Sequence, residues 1–173
     1  MSGRPGYVTP KKRGSTNALD RWHDPEQLRR DHDDALRLID RQGIIRSTDT
    51  CWILAAKAIF LKIVIALQDV IMRSTLSLVF CYDQDLQPPD IAENDGRAST
   101  SERQSSGRRV SAIGISIQAL QAGESYAAMI LLHELCHVLY GFPSHGPEFH
   151  EHLDALIKRF NESTGSNIRN DYI

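Results

Sequence analysis

The sequence HELCH at residues 133–137 lies inside an apolar run and constrains this chain more than any other feature. In an α-helix, residues four apart lie nearly above one another, with Cβ atoms about 6 Å apart, so the imidazoles of His133 and His137 can reach one metal ion. Glu134 lies one step round the helix, beside such an ion without having to ligate it, where a carboxylate can accept a proton from water. This spacing is typical of a zinc hydrolase.

The residues around this motif predict a helix that is buried on most of its sides, with His133, Glu134, His137 and Gly141 sharing one side. Buried polar side chains require hydrogen-bond partners or a ligand. A core helix with hydrogen-bonded histidines is the alternative interpretation. Two histidines and a carboxylate on one side of the helix favour a metal site over it.

A zinc site with three protein ligands and an open position needs one more donor. Gly141 is suited to end the first helix, and Pro143 prevents that helix from resuming. A second helix is predicted to begin at Pro147, so His145 lies on a connection that can fold back over the metal. We therefore predict His145 as the third ligand. The alternatives lie in the second helix, where His150 is preferred over Glu151, His152 and Asp154.

These parts predict one Zn²⁺ per chain and no other cofactor. Zinc held by three neutral imidazoles polarises a carbonyl and lowers the pKa of water toward about 7. Glu134 would act as the general base. Tyr126 and Tyr140 are candidates, by their chemistry alone, for stabilising an oxyanion.

The combination of HELCH at 133–137 with HGPEF at 145–149 resembles the SprT-like family of zinc metalloproteases, whose members pair HExxH with a later HGxxF or HGxxW element. The resemblance covers residues 110–160. It implies an α+β, zincin-like fold in which a small mixed or antiparallel sheet packs against helices that include the HExxH helix.

Carried over residue by residue, the resemblance implies that His133, His137 and His145 hold the zinc and that Glu134 is the catalytic acid/base. The expected activity is that of a zinc metalloendopeptidase that hydrolyses peptide bonds in a protein or peptide substrate. The family also suggests an alternative, a DNA-associated protease acting on DNA-bound proteins. A non-catalytic zinc-binding interaction domain is a second alternative, but structural zinc usually has four protein ligands, and Glu134 would have no task.

The composition of the chain predicts its domain organisation and its cellular compartment. The chain has 173 residues with 41% hydrophobic content, which predicts a flexible tail at 1–20 and one SprT-like domain at 21–173. The net charge of -2 gives no overall attraction to nucleic acid. Three scattered cysteines indicate a reducing compartment, and the tail lacks a secretory signal. An intracellular protein, cytoplasmic or nuclear and not secreted, is therefore expected.

A first helix is predicted at 25–42, because Asp24 is suited to the N-cap position and Pro25 to the first helical position. The acidic residues at 31–34 point to different sides of such a helix and cannot converge on a metal. They predict a solvated acidic face.

A second, strongly apolar helix is predicted at 50–73, capped by Ser47 or Thr48. Lys57 and Lys62 interrupt its apolar run on different sides. The run is then too short for a membrane span, and a long core helix packed against a sheet is expected instead.

Two strands are predicted, at 76–82 and 110–117, with Gly114 marking a bulge or a close approach in the second. Residues 83–109 between them are polar and predict a long loop, either disordered or a lid over the cleft. The strand at 110–117 is expected to be an edge strand that binds an extended substrate through main-chain hydrogen bonds.

Overall fold

Three short strands and the helices around them form a mixed α+β fold. The structure is a computed structural model that describes residues 24–71, 74–101 and 109–170, so the predicted tail at 1–20 lies outside the described residues. In chain order the described helices and strands are α1 (Pro25–Arg41), α2 (Thr50–Ala66), α3 (Gln68–Ile71), β1 (Leu76–Tyr82), α4 (Pro89–Ala92), β2 (Gly96–Thr100), β3 (Ser111–Ser116), α5 (Ile117–Gln121), α6 (Glu124–Tyr140) and α7 (Pro147–Thr164).

The sheet has the strand order β1-β3-β2, with β1 parallel and β2 antiparallel to β3. The predicted strand at 76–82 is confirmed as β1. The predicted strand at 110–117 is present as β3, but its expected position at an edge is wrong. All of β3 is buried, because it pairs with a strand on each side. The strand at the edge is β2.

The predicted long loop at 83–109 is wrong for the part that the structure describes, and residues 102–108 lie outside that part. Asp83 caps a single 3-10 turn, Gln84–Leu86, and α4 and β2 follow it. The sequence GRAST of β2 has few of the β-branched or aromatic residues that indicate a strand. Pairing with the buried strand β3 supplies the missing stabilisation.

Helix α1 begins as predicted, since the carboxylate of Asp24 accepts hydrogen bonds from two backbone N–H groups of the first turn. The predicted solvated acidic face is wrong in part, because Asp31 and Asp34 are buried. Asp31 accepts a hydrogen bond of 2.8 Å from the amide of Gln27, and Asp34 pairs with Arg37. These polar partners allow two carboxylates to be buried on this helix.

Helix α2 begins at Thr50 as predicted, but its N-cap is Asp49 and not Ser47 or Thr48. The predicted helix at 50–73 is too long, since α2 ends at Ala66 and the short α3 follows; residues 72–73 are not described. Both lysines of α2 are exposed, as expected. None of the helices in the described ranges combines the length and the hydropathy that a membrane span requires.

The main core lies between one face of the sheet and the helices α2, α6 and α7. A smaller apolar cluster on the opposite face joins α1 to the rings of Phe80 and Tyr82 on β1. Helix α6 contacts β2, β3, α2, α5 and α7, and ten of its residues in succession are buried. The helix that carries the HExxH motif is therefore enclosed along most of its length.

Candidate metal centre

Helix α6 holds the first two histidines in place through its burial and its C-terminal cap. His133 is 1% exposed and Glu134 is 9% exposed, whereas His137 is partly accessible to solvent. The helix ends at Gly141, whose φ of 71° lies in the left-handed region, as the sequence predicts. After this cap the chain turns back toward His137, the more exposed of the two histidines.

His145 reaches the pair from the short connection between α6 and α7. Pro147 occupies the first turn of α7, as predicted, and α7 packs against α6. The Nε2 atom of His145 lies 3.1 Å from Nε2 of His133 and 3.1 Å from Nε2 of His137. The three predicted ligands therefore converge, with their ligand atoms all within 4.8 Å of one another.

This group of nitrogen atoms could hold a divalent metal ion. Tetrahedral zinc with Zn–N distances of about 2.05 Å would separate its ligand nitrogens by about 3.3 Å, close to the two 3.1 Å distances that His145 makes. A neutral imidazole carries one proton, so Nε2 of His145 cannot donate a hydrogen bond to both neighbours. A shared cation satisfies all three nitrogens. Nδ1 of His137 lies 2.7 Å from the carbonyl oxygen of Phe142, which fixes the proton there and leaves Nε2 free to ligate.

The ring of Phe149 packs against all three imidazole rings. Its centroid is 4.9 Å from that of His133, 4.6 Å from that of His137 and 5.0 Å from that of His145. Phe149 is itself buried and belongs to the main core. It was predicted only as an apolar residue of α7, and its contact with the whole histidine group was not predicted.

Glu134 lies beside the histidine group and outside it. Its Oε2 atom is 3.9 Å from Nε2 of His133. Burial raises the pKa of Glu134 to about 8, and the positive charge of Arg97 opposes this shift. Burial, together with His137 and His145, lowers the pKa of His133 to about 3. His133 is therefore neutral over the whole physiological range and keeps a lone pair for a metal.

Strand β2 meets α6 at the position of Glu134. A Cβ atom on Gly96 would lie 2.9 Å from Cγ and 3.0 Å from Oε2 of Glu134, and 2.7 Å from Cγ2 of Ile130. Only glycine allows the backbone to approach this closely. This contact could not be predicted from the sequence, because Gly96 lies in the segment that was predicted to be a loop.

The histidine group lies in an open cleft of about 790 Å³. Its lining includes residues of β2 and Arg109 near the start of β3. It also includes the C-terminal turn of α6 and the connection that carries His145. Of the described residues that line the cleft, Glu134 is the only carboxylate.

The alternative ligands are not part of the group of described residues that could hold a metal. His150 accepts a hydrogen bond from Asn170 at 3.1 Å, and Asp154 accepts one from the same amide. Glu151 is exposed, and Nδ1 of His152 contacts a backbone carbonyl at 2.8 Å.

Of the two tyrosines suggested as oxyanion donors, Tyr140 lines the cleft. Tyr126 instead donates a hydrogen bond to Asp95 and is absent from the described lining. Cys136 is buried, and burial raises the pKa of its thiol to about 12, so it packs as an apolar residue.

No protein-family model matches the sequence, and no curated protein or solved structure matches the chain.

Proposed function

We propose that this protein is a zinc-dependent metallopeptidase with a zincin-like fold of the SprT-like type. The observation that carries the proposal is the convergence of three imidazole nitrogens beside a buried carboxylate at the floor of an open cleft. Three neutral ligands with an accessible side suit a catalytic zinc site, whereas structural sites usually have four protein ligands. Zinc is the metal that this donor set and geometry favour.

Each residue of the group has a distinct task in this proposal. Zinc, when bound, polarises the peptide carbonyl and makes water more acidic. Glu134 accepts the proton of the attacking water and returns it to the leaving amine. His137 is oriented by its hydrogen bond to the carbonyl of Phe142, and Phe149 keeps the three imidazoles against an apolar surface. Glu134 must be ionised to act as a base, and the positive charge of a bound metal favours that form.

The substrate is a peptide in extended conformation. Strand β2 is the last strand of the described sheet on the side of the cleft, so its outer edge can pair with a peptide main chain. From the sequence, the strand at 110–117 was expected to bind the substrate. That strand is β3, which already pairs with a strand on each side. Backbone pairing tolerates many sequences and brings a peptide bond across the cleft floor.

The decisive experiment compares the wild type with the Glu134→Gln variant, both loaded with zinc. The amide is close in shape to the carboxylate but cannot take a proton, so casein cleavage should fall by at least about 100-fold, the lower range for loss of general-base catalysis. Bound zinc, measured by mass spectrometry, should stay near one equivalent. Normal cleavage by the variant would remove Glu134 from the role of the base and refute this mechanism.

The two alternatives are tested by the same preparation. A non-catalytic zinc domain predicts no cleavage and a fourth protein ligand, but the described metal-binding group has three members, and the thiol of Cys136 faces the carbonyl of Phe149. A protease that acts on DNA-bound proteins predicts cleavage that is stimulated by DNA and falls steeply with salt. Intracellular localisation stays a prediction.

A further inference from the structure

The outer face of helix α2 carries an apolar stripe that lies outside both the core and the lining of the cleft, as far as the structure describes them. Leu54, Leu61 and Ile65 are 60%, 58% and 65% exposed. Cys51 and Ala58 belong to the same stripe and are exposed as well. Single exposed aliphatic side chains are common, but a continuous patch of them marks an interaction site.

The spacing of this stripe is that of a coiled-coil seam. From Cys51 to Ile65 its residues follow one another at alternating intervals of three and four, which are the first and fourth positions of a seven-residue repeat. The buried residues Ala56, Ile59 and Ile63 lie on a different side of the helix. A stripe confined to these two positions is narrower than a core-facing side, and it suits contact with one other helix.

We infer that α2 pairs with α2 of a second copy of this chain, with the two helices antiparallel, in a symmetric dimer. An apolar stripe is self-complementary, as a two-fold interface requires. When Leu54 of one copy lies opposite Ile65 of the other, Ala58 lies opposite Leu61, and these side chains of both copies are covered. The inference does not depend on the proposed peptidase function, because none of the described residues that line the cleft belongs to α2.

The lysines beside the stripe decide the orientation of the two helices. Lys57 and Lys62 occupy the two positions that flank a coiled-coil seam, one on each side, and Lys62 pairs with Glu124 of its own chain. In a parallel pair, Lys57 of each copy would face Lys62 of the other, and like charges would oppose association. In the antiparallel pair, Lys57 lies beside Val64 of the second copy. Lys62 likewise lies beside Ala55, so the aliphatic stems can cover the seam while the ammonium groups reach water.

A lipid surface fits this face less well than a helix does. Helices that lie on membranes insert an apolar face that includes Trp and Phe. The aromatic residues of α2, Trp52 and Phe60, instead pack against the main core. The stripe is also short, about 21 Å from Cys51 to Ile65 at about 1.5 Å per residue. It buries less than a standard interface of about 800 Å² per partner, so the dimer should dissociate in the micromolar range.

Analytical ultracentrifugation of the full chain from about 1 to about 300 μM tests the dimer. The wild type should shift from the mass of one chain to that of two. Leu61→Glu places a charge at the middle of the seam in both copies, so it should weaken the dimer at least about 30-fold, the effect of losing one strong interface residue. Leu86→Glu is the matched control, because Leu86 is 61% exposed and lies outside α2; it should dimerise like the wild type. Circular dichroism checks the fold, and Leu54→Glu repeats the test at a second exposed position of the seam.

A spin label on Cys51, the exposed cysteine of the described chain, measures the orientation. In the antiparallel dimer each Cys51 lies opposite Gln68 of the other copy, so the two labelled residues are about 26 Å apart along the helix axes. In a parallel dimer they would lie within about 10 Å, the distance between packed helices.

Three results would overturn the inference. A wild type that stays monomeric at the highest concentration, or Leu61→Glu and Leu54→Glu variants that dimerise as the wild type does, excludes pairing through the seam. A label separation of about 10 Å excludes the antiparallel arrangement. A monomeric wild type that sediments with phosphatidylserine vesicles, when Leu61→Glu does not, assigns the stripe to a membrane surface.

Discussion

Replacement of Gly96 by alanine adds one methyl group at the contact between β2 and α6. That carbon atom would lie 2.7 Å from Ile130 and 2.9 Å from Cγ of Glu134, whereas non-bonded carbon atoms rest about 3.5–4.0 Å apart. The strand or the glutamate must therefore move by roughly 1 Å. Overpacking of this size costs about 1–3 kcal/mol of unfolding free energy. The melting temperature should fall by about 3–10 °C for a chain of this length.

The effect on catalysis should exceed the effect on stability. A displacement of about 1 Å in a catalytic group can reduce the rate about 100-fold, so kcat should fall by one to two orders of magnitude. The histidines are not among the atoms that the new methyl group meets first, so zinc content should stay near one equivalent. The assay measures kcat and KM on a fluorogenic peptide, zinc by mass spectrometry and unfolding by differential scanning fluorimetry, all on the same preparation.

Gly114→Ala is the matched control, because it overpacks the same sheet without touching the site. Its new Cβ atom would lie 2.4 Å from the ring of Phe80, which belongs to the smaller core on the opposite face of the sheet. This variant should lose at least as much stability and keep the wild-type kcat in its folded fraction. If Gly96→Ala keeps kcat while zinc is bound, or if both variants lose kcat equally, the backbone of Gly96 does not position Glu134.

Two further predictions concern the metal centre. His145→Ala should weaken zinc binding by more than about 100-fold, which exceeds the effect of losing a residue that only supports a ligand. A competition titration with a chromophoric chelator measures the affinity, and His150→Ala should leave it unchanged. An equal loss in His150→Ala would transfer the role of third ligand to His150. The metal-free protein should be most stable between about pH 4.5 and pH 6.5. Below about pH 6.5 the unfolded chain protonates His133 while the folded chain, with a pKa of about 3, does not, so stability falls as the pH falls. Above about pH 4.5 the unfolded chain deprotonates Glu134 while the folded chain, with a pKa of about 8, does not, so stability falls as the pH rises. The two effects cancel between these limits. Thermal unfolding in a chelator from pH 4 to pH 9 measures the profile. Glu134→Gln should remove the alkaline decline, and because its opposing effect is then gone, stability should rise with pH up to about pH 6.5. An unchanged alkaline decline in that variant would assign the decline to other groups.

Features that depend on neighbouring residues were predictable from the sequence. Asp24 caps α1, Gly141 ends α6 and Pro147 begins α7, each through contacts within one helical turn. The histidine group was predictable from the end of α6 and the start of α7. The helix α6 fixes His133 and His137, and the short connection after it can bring only a nearby donor to them. A short loop leaves little freedom, which is why the third histidine converges with the first two.

Features that depend on distant parts of the chain were not predictable from the sequence. The acidic residues of α1 were expected to be solvated, but packing buries Asp31 and Asp34, which pair with Gln27 and Arg37 of the same helix. The helix predicted at 50–73 breaks after Ala66, and the short α3 follows it. In α1 the burial comes from tertiary packing, which local propensity does not describe.

Strand β2 was not predicted from the sequence, and it is also the strand that contacts Glu134. Both observations have the same cause. A strand is recognised by β-branched or aromatic residues in alternation, and its edge is stabilised by their packing. Strand β2 has glycine where α6 approaches, because any side chain there would displace Glu134. It has Arg97 next to that glycine, among the residues that line the cleft. Both positions are therefore unavailable for the residues that would indicate a strand. Strand β2 exists only because β3 pairs with it along its whole length, from Gly96 to Thr100. Where the backbone of β2 must touch the side chain of Glu134, the requirements of that contact remove the local pattern, and pairing with β3 supplies the strand.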